Sequence, residues 1–226
     1  SSGVYIGAEV AQAATSGISN SVIIGNRAMY ASTGGADCVV IGRYAGSNAS
    51  GGQNILIGTS AGRSNTNVGH ISIGYEAGYS NTSGSENTNI GYQAAYTNTT
   101  SGSNTSVGHQ ASYYATGQQL AAFGYRALFG SAGVSTGSYN SAFGREAGVA
   151  VTSGSQNTLL GAAAGKAITS GANNTVIGSF AAFNSLIDGD NNIVIGKEAA
   201  PSATGVDNEI TFGDANITAL RIPGLQ

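Results

Sequence analysis

The hydrophobic positions of this sequence recur with one spacing from end to end. A short β-branched run ends in an apolar residue and a glycine, two variable residues follow, and an alanine comes next, as in residues 174–181. Neighbouring repeat glycines are 16 to 20 residues apart, and their mean spacing is about 17. Internal repetition of this kind defines the class of fold. The repeat glycines are Gly7, Gly25, Gly42, Gly58, Gly74, Gly91, Gly108, Gly124, Gly144, Gly161, Gly178, Gly196 and Gly213.

Each repeat predicts one short strand that ends just before its glycine. Asparagine commonly stands four residues before the glycine, and Thr-Ser-Gly turns such as those at 82–84 and 152–154 separate the runs. A β-branched run between turn residues predicts a strand of four or five residues followed by a tight turn. Glycine in every repeat and the Asn/Ser/Thr-rich joins leave no room for a stable helix of about 10–12 residues.

A repeat of this length is the size of one coil of a β-solenoid. The sequence therefore predicts an all-β fold, an elongated parallel β-solenoid or β-roll of about 13 coils, roughly 60 Å long. We expect the apolar residue before the glycine and the alanine after it to fill the interior. Stacked asparagines would form a buried ladder. Val10 and Asn216 replace the alanine in the first and last repeats, as expected of the caps of an array.

The repeat divides the chain into an array and a shorter end. Residues 1–200 form the predicted array, and residues 201–226 form terminating strands in which apolar and polar positions alternate as in a strand pair. The one interval of 20 residues contains Gly130-Ser-Ala-Gly133, which predicts a loop that protrudes from one face.

Composition narrows the class of protein. Charged residues make up 8% of the chain and glycine accounts for 36 of 226 residues, which is unusual for a globular enzyme. The net charge is −3 and no basic run is present, which argues against nucleic acid as a partner. No stretch approaches the roughly 20 apolar residues of a membrane span, so we expect no membrane insertion. The single cysteine, Cys38, lies in an apolar run and is interpreted as a core residue.

The signatures of enzymes and of metal sites are incomplete. Residues 161–166 have one residue too few between glycines for a phosphate-binding loop and lack the following Ser/Thr. His70 and His109 are the only histidines and form no metal-binding motif. In residues 188–192 the acidic and amide side chains are spaced as at the start of a calcium-binding loop, but Ala199 stands at the position of the bidentate glutamate. We expect no catalytic activity, cofactor or metal. Candidate carboxylates for glycoside hydrolysis are Asp188, Asp190, Glu198 and Asp207.

Aromatic residues form the most suggestive pattern. One residue after the repeat glycine stand Tyr75, Tyr92 and Tyr125, and five residues after it stand Tyr79, Tyr96 and Tyr113. Exposed tyrosines among polar neighbours suit stacking on sugar rings and hydrogen bonding to them. The alternatives are a trimer seam or a stacked aromatic ladder. Charged residues in the two variable positions predict a solvated face, salt bridges between chains, or a polar groove for a glycan.

Two parts of the sequence resemble known families. The phrase Asn-Thr-x-Ile-Gly-x-x-Ala resembles the head repeats of trimeric autotransporter adhesins, which form trimeric β-rolls from usually shorter repeats. Residues 208–221 are similar to the segment that precedes the self-cleaving intramolecular chaperone of phage tail fibres and tailspikes. Both resemblances imply a homotrimeric rod that binds a surface.

The expected function is a structural and receptor-binding segment of a trimeric phage tail fibre. It would lie in the extracellular tail of the virion and attach by multivalent contacts to a polysaccharide or protein receptor on a bacterium. One alternative is the head of a bacterial surface adhesin, which a downstream membrane anchor in the gene would indicate. A tailspike-like glycan hydrolase would release reducing sugar. An ice-binding solenoid would need a flat threonine ladder, whereas threonine here is expected mainly in turns.

Overall fold

In the part of the chain that the structure describes, thirteen strands form a single parallel sheet in which neighbours along the chain are neighbours in the sheet. The structure is a computed structural model, and it describes residues 2–13, 17–185, 188–219 and 221. The described residues contain no helix, and so no helix that could cross a membrane. The strands are β1 (Gly3–Ile6), β2 (Ser21–Ile24), β3 (Val39–Ile41), β4 (Ile55–Ile57), β5 (Ile71–Ile73), β6 (Thr88–Ile90), β7 (Thr105–Val107), β8 (Ala121–Phe123), β9 (Ser141–Phe143), β10 (Thr158–Leu160), β11 (Thr175–Ile177), β12 (Ile193–Ile195) and β13 (Ile210–Phe212).

The register of the sheet follows the repeat. Ile177 pairs with Leu160 on one side and with Ile195 on the other, and each of these residues precedes a repeat glycine. Every strand ends at the residue before its glycine, as predicted, but the strands have three or four residues instead of four or five. The prediction of a parallel β-solenoid of about 13 coils is confirmed. Below, each coil carries the number of its strand.

The repeat glycines are required because successive coils touch there through their backbones. Gly91 has a φ of 137°, and a Cβ added to it would lie 2.4 Å from the carbonyl oxygen of Gly108 in the next coil. Real Cβ atoms do not approach an oxygen so closely, and this part of φ space strongly favours glycine. The glycine column therefore sets how closely the coils stack.

Left-handed backbone positions turn each coil back on itself. The residue two after the repeat glycine has a φ of 52–59° in each of the first twelve coils, although none of these residues is glycine. Further left-handed residues stand four after the glycine, such as Met29, and five before it, such as Asn173. Each non-glycine residue in this conformation costs roughly 1–2 kcal/mol, so the stacked backbone contacts must offset a cost that recurs in every coil.

Two inward-facing columns form the interior. The alanine three residues after the glycine is fully buried in all eleven internal coils, which confirms its predicted place. The second interior column is the residue two before the repeat glycine, which is buried in β2–β12, as at Val40, Leu159 and Val176.

The apolar residue before the glycine faces outward, so its predicted place in the interior is wrong. Side chains alternate along a strand, and the burial of the middle residue turns its neighbours toward the surface. Phe143 is 41% exposed and Leu160 is 48% exposed, while Phe123 and Phe143 stack at 4.8 Å on the outside. We call the outward-facing residues one and three before each repeat glycine the sheet face.

The predicted asparagine ladder is present and fully hydrogen bonded along the stack. In each of seven asparagines the side-chain oxygen accepts the backbone N–H of the equivalent residue one coil on, at 2.8–3.0 Å. The side-chain amide donates to a turn carbonyl, as from Asn157 to Gly171 at 2.8 Å. The ladder members are Asn54, Asn87, Asn104, Asn140, Asn157, Asn174 and Asn192.

The interior changes character in the middle of the rod. One apolar cluster runs from Ile23 to Leu56 and another from Ala111 to Ala199. Between them the strand-centre column holds Ser72, Asn89 and Ser106, all buried. Oδ1 of Asn89 and Oγ of Ser106 have no hydrogen-bond partner within the described residues. The rod therefore has two apolar sections joined by a polar one.

The two departures from the regular repeat have different outcomes. Residues 131–134 are exposed and leave the stack as the predicted loop. At the predicted terminal strand pair, β13 adds to the sheet as one more parallel strand, and described residues 217–219 form no strand. Leu220 and residues 222–226, which also belong to that prediction, lie outside the described residues.

Candidate ligand-binding surface

The six tyrosines singled out in the sequence form two aromatic ladders on the outside of coils 5–8. In the first tyrosine ladder, ring centroids are 4.9–5.3 Å apart and successive planes differ by 11–25°. In the second, the separations are 5.0–5.4 Å and the planes differ by 9–19°. The first ladder consists of Tyr75, Tyr92, His109 and Tyr125. The second ladder consists of Tyr79, Tyr96, Tyr113 and Phe129.

The two ladders differ in exposure. The three tyrosines of the first ladder are each 44–45% exposed, and His109 is exposed with them. The second ladder is half-buried, and burial raises the pKa of Tyr96 and of Tyr113. A stack of rings at about 5 Å leaves little of each ring face open, so the ladders present ring edges and hydroxyl groups to a ligand. Sugar rings would meet these edges instead of stacking on the faces, which changes the expected mode of contact.

A row of polar side chains lies two residues after the repeat glycine, between the two ladders in sequence. Gln110 Nε2 donates to Gln93 Oε1 at 3.1 Å, and Gln93 Nε2 donates to Glu76 Oε2 at 2.9 Å. Hydrogen bonding to Glu76, and then its charge, raises the pKa of Tyr75. Burial, and then the charge of the same carboxylate, raises the pKa of Tyr96. The Glu76 carboxylate therefore raises the pKa of a tyrosine in each ladder. Tyrosine hydroxyls, glutamine amides and this carboxylate lie on the same surface.

Arginines continue this surface toward the first coils. Arg63 donates to the hydroxyl of Tyr79 at 2.8 Å, and its guanidinium lies 5.5 and 5.6 Å from the ring centroids of Tyr79 and Tyr44. Arg27 donates to the Tyr44 hydroxyl at 3.1 Å and pairs with Glu9 at 2.5 Å. The Glu9 contact, followed by that with Tyr44, raises the pKa of Arg27 further. Sequence reasoning missed these contacts, although Arg63 stands in the column of the second ladder, and Glu9, Arg27 and Tyr44 stand in the column next to that of the first ladder.

The charged residues of the variable positions pair within the chain. Glu146 contacts both Arg145 and Lys166 at 3.2 Å, and Lys197 contacts Glu198 at 3.0 Å. Pairs as exposed as these contribute little to stability, typically about 0–1 kcal/mol. In the single chain these charged residues therefore form surface ion pairs.

The candidate carboxylates for hydrolysis have structural contacts. Asp190 Oδ1 accepts the backbone N–H of Ala172 at 2.7 Å, and Asp207 Oδ1 accepts that of Asp190 at 2.7 Å. Both therefore hold turns of neighbouring coils together. Within the described ranges no group of three His, Cys, Asp or Glu residues is arranged to hold a metal ion. Residues 161–166 belong to a regular coil in which Ala164 is buried.

The other residues discussed from the sequence have simple structural roles. Cys38 is 2% exposed and burial raises its pKa, as expected of a core residue. His70 is also buried, in the asparagine column, where its backbone N–H donates to Asn54 Oδ1. Threonines occupy the sheet face only at the start of four strands, between coils that have Val, Ile, Ala or Ser there, and so form no continuous ladder.

Comparisons of the chain with protein-family models, with curated proteins and with solved structures gave no match.

Proposed function

We propose that this chain is a segment of a homotrimeric phage tail fibre that assembles through its sheet face and adheres to a bacterial surface glycan. The observation that carries the proposal is the outward-facing apolar column of the sheet. The residue before the repeat glycine is apolar in all thirteen strands and yet lies at the surface. Stacking within the chain covers these side chains only in part, so burial against a partner would remove further apolar surface from water.

The sheet face is long enough for a specific interface. Thirteen strands at about 4.8 Å give a length near 60 Å, and two side-chain columns give a width near 10 Å, or on the order of 600 Å² per chain. This area is at the upper end of the largest apolar patches on monomers, about 300–600 Å². It approaches the roughly 800 Å² per partner of stable complexes.

The composition of the sheet face favours a second copy of the same chain as its partner. None of the residues one or three before a repeat glycine is charged. The column one before the glycine is a strip of stacked Ile, Val, Leu and Phe, and the column three before it holds Val, Ile, Ala, Thr and Ser. Such an uncharged strip is complementary to itself, because the regular repeat brings similar side chains to matching heights. We propose three copies, and not two, because the families that the sequence resembles, tail fibres and adhesin heads, are trimeric.

The tyrosine ladders are the proposed receptor-binding surface. They lie outside the sheet face, and in the proposed assembly they stay accessible and present tyrosine side chains at ring spacings of about 5 Å along the rod. Three copies multiply contacts that are individually weak, which gives avidity. The same geometry would serve the head of a bacterial adhesin.

The mass of the particle in solution tests the assembly. We expect light scattering to give three times 22.3 kDa for the wild type. The double substitution Phe143→Lys with Leu160→Lys places two charges on the sheet face and should lower the mass. The matched control, Thr99→Lys with Ser153→Lys, adds the same charges at exposed turns and should keep the trimer. A wild-type monomer or dimer would contradict the proposal.

Binding to host cells and to their extracted polysaccharide tests adhesion. The triple substitution Tyr75→Phe, Tyr92→Phe and Tyr125→Phe removes only hydroxyl groups and should weaken binding about tenfold or more. Tyr139→Phe, at a 54% exposed tyrosine outside the ladders, is the control. Unchanged binding by the triple variant would exclude the first ladder as the contact surface. Release of reducing sugar by the wild type would instead support a hydrolase.

A further inference from the structure

We propose that the loop cleft, a hollow between the protruding loop of coil 8 and the flank of the second tyrosine ladder, is a subsite for a neutral saccharide unit. The cleft has a volume of about 300 Å³. Thr97, Tyr114 and Thr116 line one side, and loop residues 132–135 line the other. This inference rests on the proposed adhesion to a glycan and names where one sugar unit of that glycan is held.

The cleft exists because one coil is longer than the others. The interval from Gly124 to Gly144 is 20 residues, against a mean of about 17, and residues 131–134 carry the excess outward. The loop stands over coils 6 and 7 at their Thr97, Tyr114 and Thr116 positions. A separate hollow near coils 11 and 12 includes Asn184, which occupies the same column as Thr97 and Tyr114, but it is lined by other residues of those coils.

Hydrogen bonds at the base of the loop hold the cleft in shape before any ligand binds. The N–H of Ser131 donates to Ser135 Oγ at 2.6 Å, and that hydroxyl donates back to the Ser131 carbonyl at 3.0 Å. The Ser135 carbonyl in turn accepts two hydrogen bonds from Thr116, from its backbone N–H at 2.7 Å and from its hydroxyl at 2.9 Å. A loop closed in this way loses little conformational entropy when a ligand binds.

The aromatic wall of the cleft differs from the ladders. The ring of Tyr114 is turned by 79° from Tyr113 and by 84° from Phe129, with centroids 4.6 and 5.2 Å away. Ladder rings cover one another face to face, whereas Tyr114 carries no parallel ring on either face. It is therefore suited to the apolar face of a sugar ring.

The polar groups of the cleft indicate an uncharged ligand. Its lining contains hydroxyls and backbone groups, and none of its residues is charged. The hydroxyl of Thr97 donates to the Tyr113 carbonyl at 2.8 Å and that of Thr116 is also committed as a donor, so both oxygens are left to accept. Sugar hydroxyls supply the donors, whereas an acidic sugar would find no cation to pair with. A volume near the lower end of the range for small-molecule sites, about 300–1,000 Å³, fits a mono- or disaccharide unit.

Binding of the full chain to an array of oligosaccharides tests the inference. The array carries neutral gluco-, galacto- and manno-configured di- to tetrasaccharides, with uronic-acid and sialylated members for comparison. We expect the wild type to bind a subset of the neutral members. Tyr114→Ala, and separately deletion of residues 131–133, which restores the regular spacing, should each weaken that binding about tenfold or more. Tyr139→Ala is the exposed control, and far-UV circular dichroism and particle mass verify folding of each variant.

The outcomes separate this inference from the proposed function. Unchanged binding by Tyr114→Ala and by the deletion, with loss of binding in the ladder triple variant, would overturn the cleft and leave adhesion intact. A wild type that binds host cells but no neutral oligosaccharide, or binds only acidic ones, would also overturn it. A wild type that binds neither cells nor sugars would overturn both.

Discussion

At the scale of single residues, the repeat glycines are the positions where the fold tolerates least change. Gly91→Ala would place a Cβ 2.4 Å from the Gly108 oxygen at a φ of 137°. We expect it to lower the free energy of unfolding by about 3 kcal/mol or more, measured by guanidinium unfolding at a fixed protein concentration. Gly69→Ala is the control, because its Cβ would meet nothing closer than 3.7 Å and only the left-handed φ of 76° costs energy, about 1 kcal/mol. Equal effects of the two substitutions would refute the close-stacking argument.

The buried histidine makes stability depend on pH. Burial lowers the pKa of His70 to about 4, whereas an unfolded histidine titrates near 6.5. Below pH 6.5 the unfolded chain takes up a proton that the folded chain does not, so stability falls as the pH drops from about 6.5 to about 4. The loss reaches about 3 kcal/mol.

The substitution His70→Asn tests this dependence, since asparagine occupies the same column in seven other coils. The stability difference between variant and wild type should shift in favour of the variant as the pH falls from 6.5 to 4. At pH 8 His70 is neutral in both the folded and the unfolded chain, so the stability difference measured there reflects only the different packing of histidine and asparagine. A pH-independent difference would show that His70 is not responsible.

At the scale of the element, the asparagine ladder links one coil to the next. Asn157 accepts from the N–H and side-chain amide of Asn174 at 3.0 and 3.1 Å, and donates to Gly171 at 2.8 Å. Asn157→Ala leaves these buried groups without partners and should cost about 2–3 kcal/mol in thermal or denaturant unfolding. Asn26→Ala, at an exposed residue with one 3.5 Å bond, should change stability by less than about 0.5 kcal/mol. A small effect at both sites would mean that water replaces the ladder bonds.

The sequence predicts the elements well because each signal is local. The glycine after an apolar residue marks the end of every strand, and the spacing of asparagines places their ladder. Which strand residues face inward was predicted wrongly for a physical reason. In a strand such as Val39–Ile41 all three residues are apolar, so alternation cannot reveal the buried side. Where alternation is visible, as in Thr88–Ile90, the polar Asn89 is the buried residue and the apolar Ile90 is outside.

At the scale of the whole molecule, we expect the stability of the rod to vary along its length. The strand-centre column is apolar in β10–β12, with Leu159, Val176 and Val194, but holds Asn89 and Ser106 in β6 and β7. A fully buried Val or Leu contributes about 1.5–3 kcal/mol, and coils of a solenoid depend mainly on their neighbours.

Hydrogen exchange tests this difference along the rod. Backbone amides of β6 and β7 should exchange about tenfold or more faster than those of β10 and β11, although both pairs lie away from the ends. Replacing both Asn89 and Ser106 by Val should reduce the difference. Equal protection in the two sections of the wild type would contradict a weak middle.

The candidate surface could be predicted only in part. The tyrosine columns follow from the spacing alone, because equal positions of successive coils stack. The sequence left open whether these rings stack on sugars or on one another, and in the structure they stack on one another at about 5 Å. The cleft beside Tyr114 was outside the reach of sequence reasoning. A loop predicted to protrude does not say which side chains it overhangs, and Ser135, which holds that loop, looks like any other turn serine.

Because glycine stacks on glycine in register, the length of the rod is set by the number of its coils. A deletion that begins and ends at the same column, for instance from Gly91 up to the residue before Gly108, removes one complete coil. The two coils that then become neighbours are still aligned column by column. Such a deletion would shorten the rod by a single step of about 4.8 Å, and a duplication would lengthen it by the same step. Insertion or deletion of whole repeats can therefore change the length of the rod in steps of one coil, while the coils keep the same kind of stacking contact.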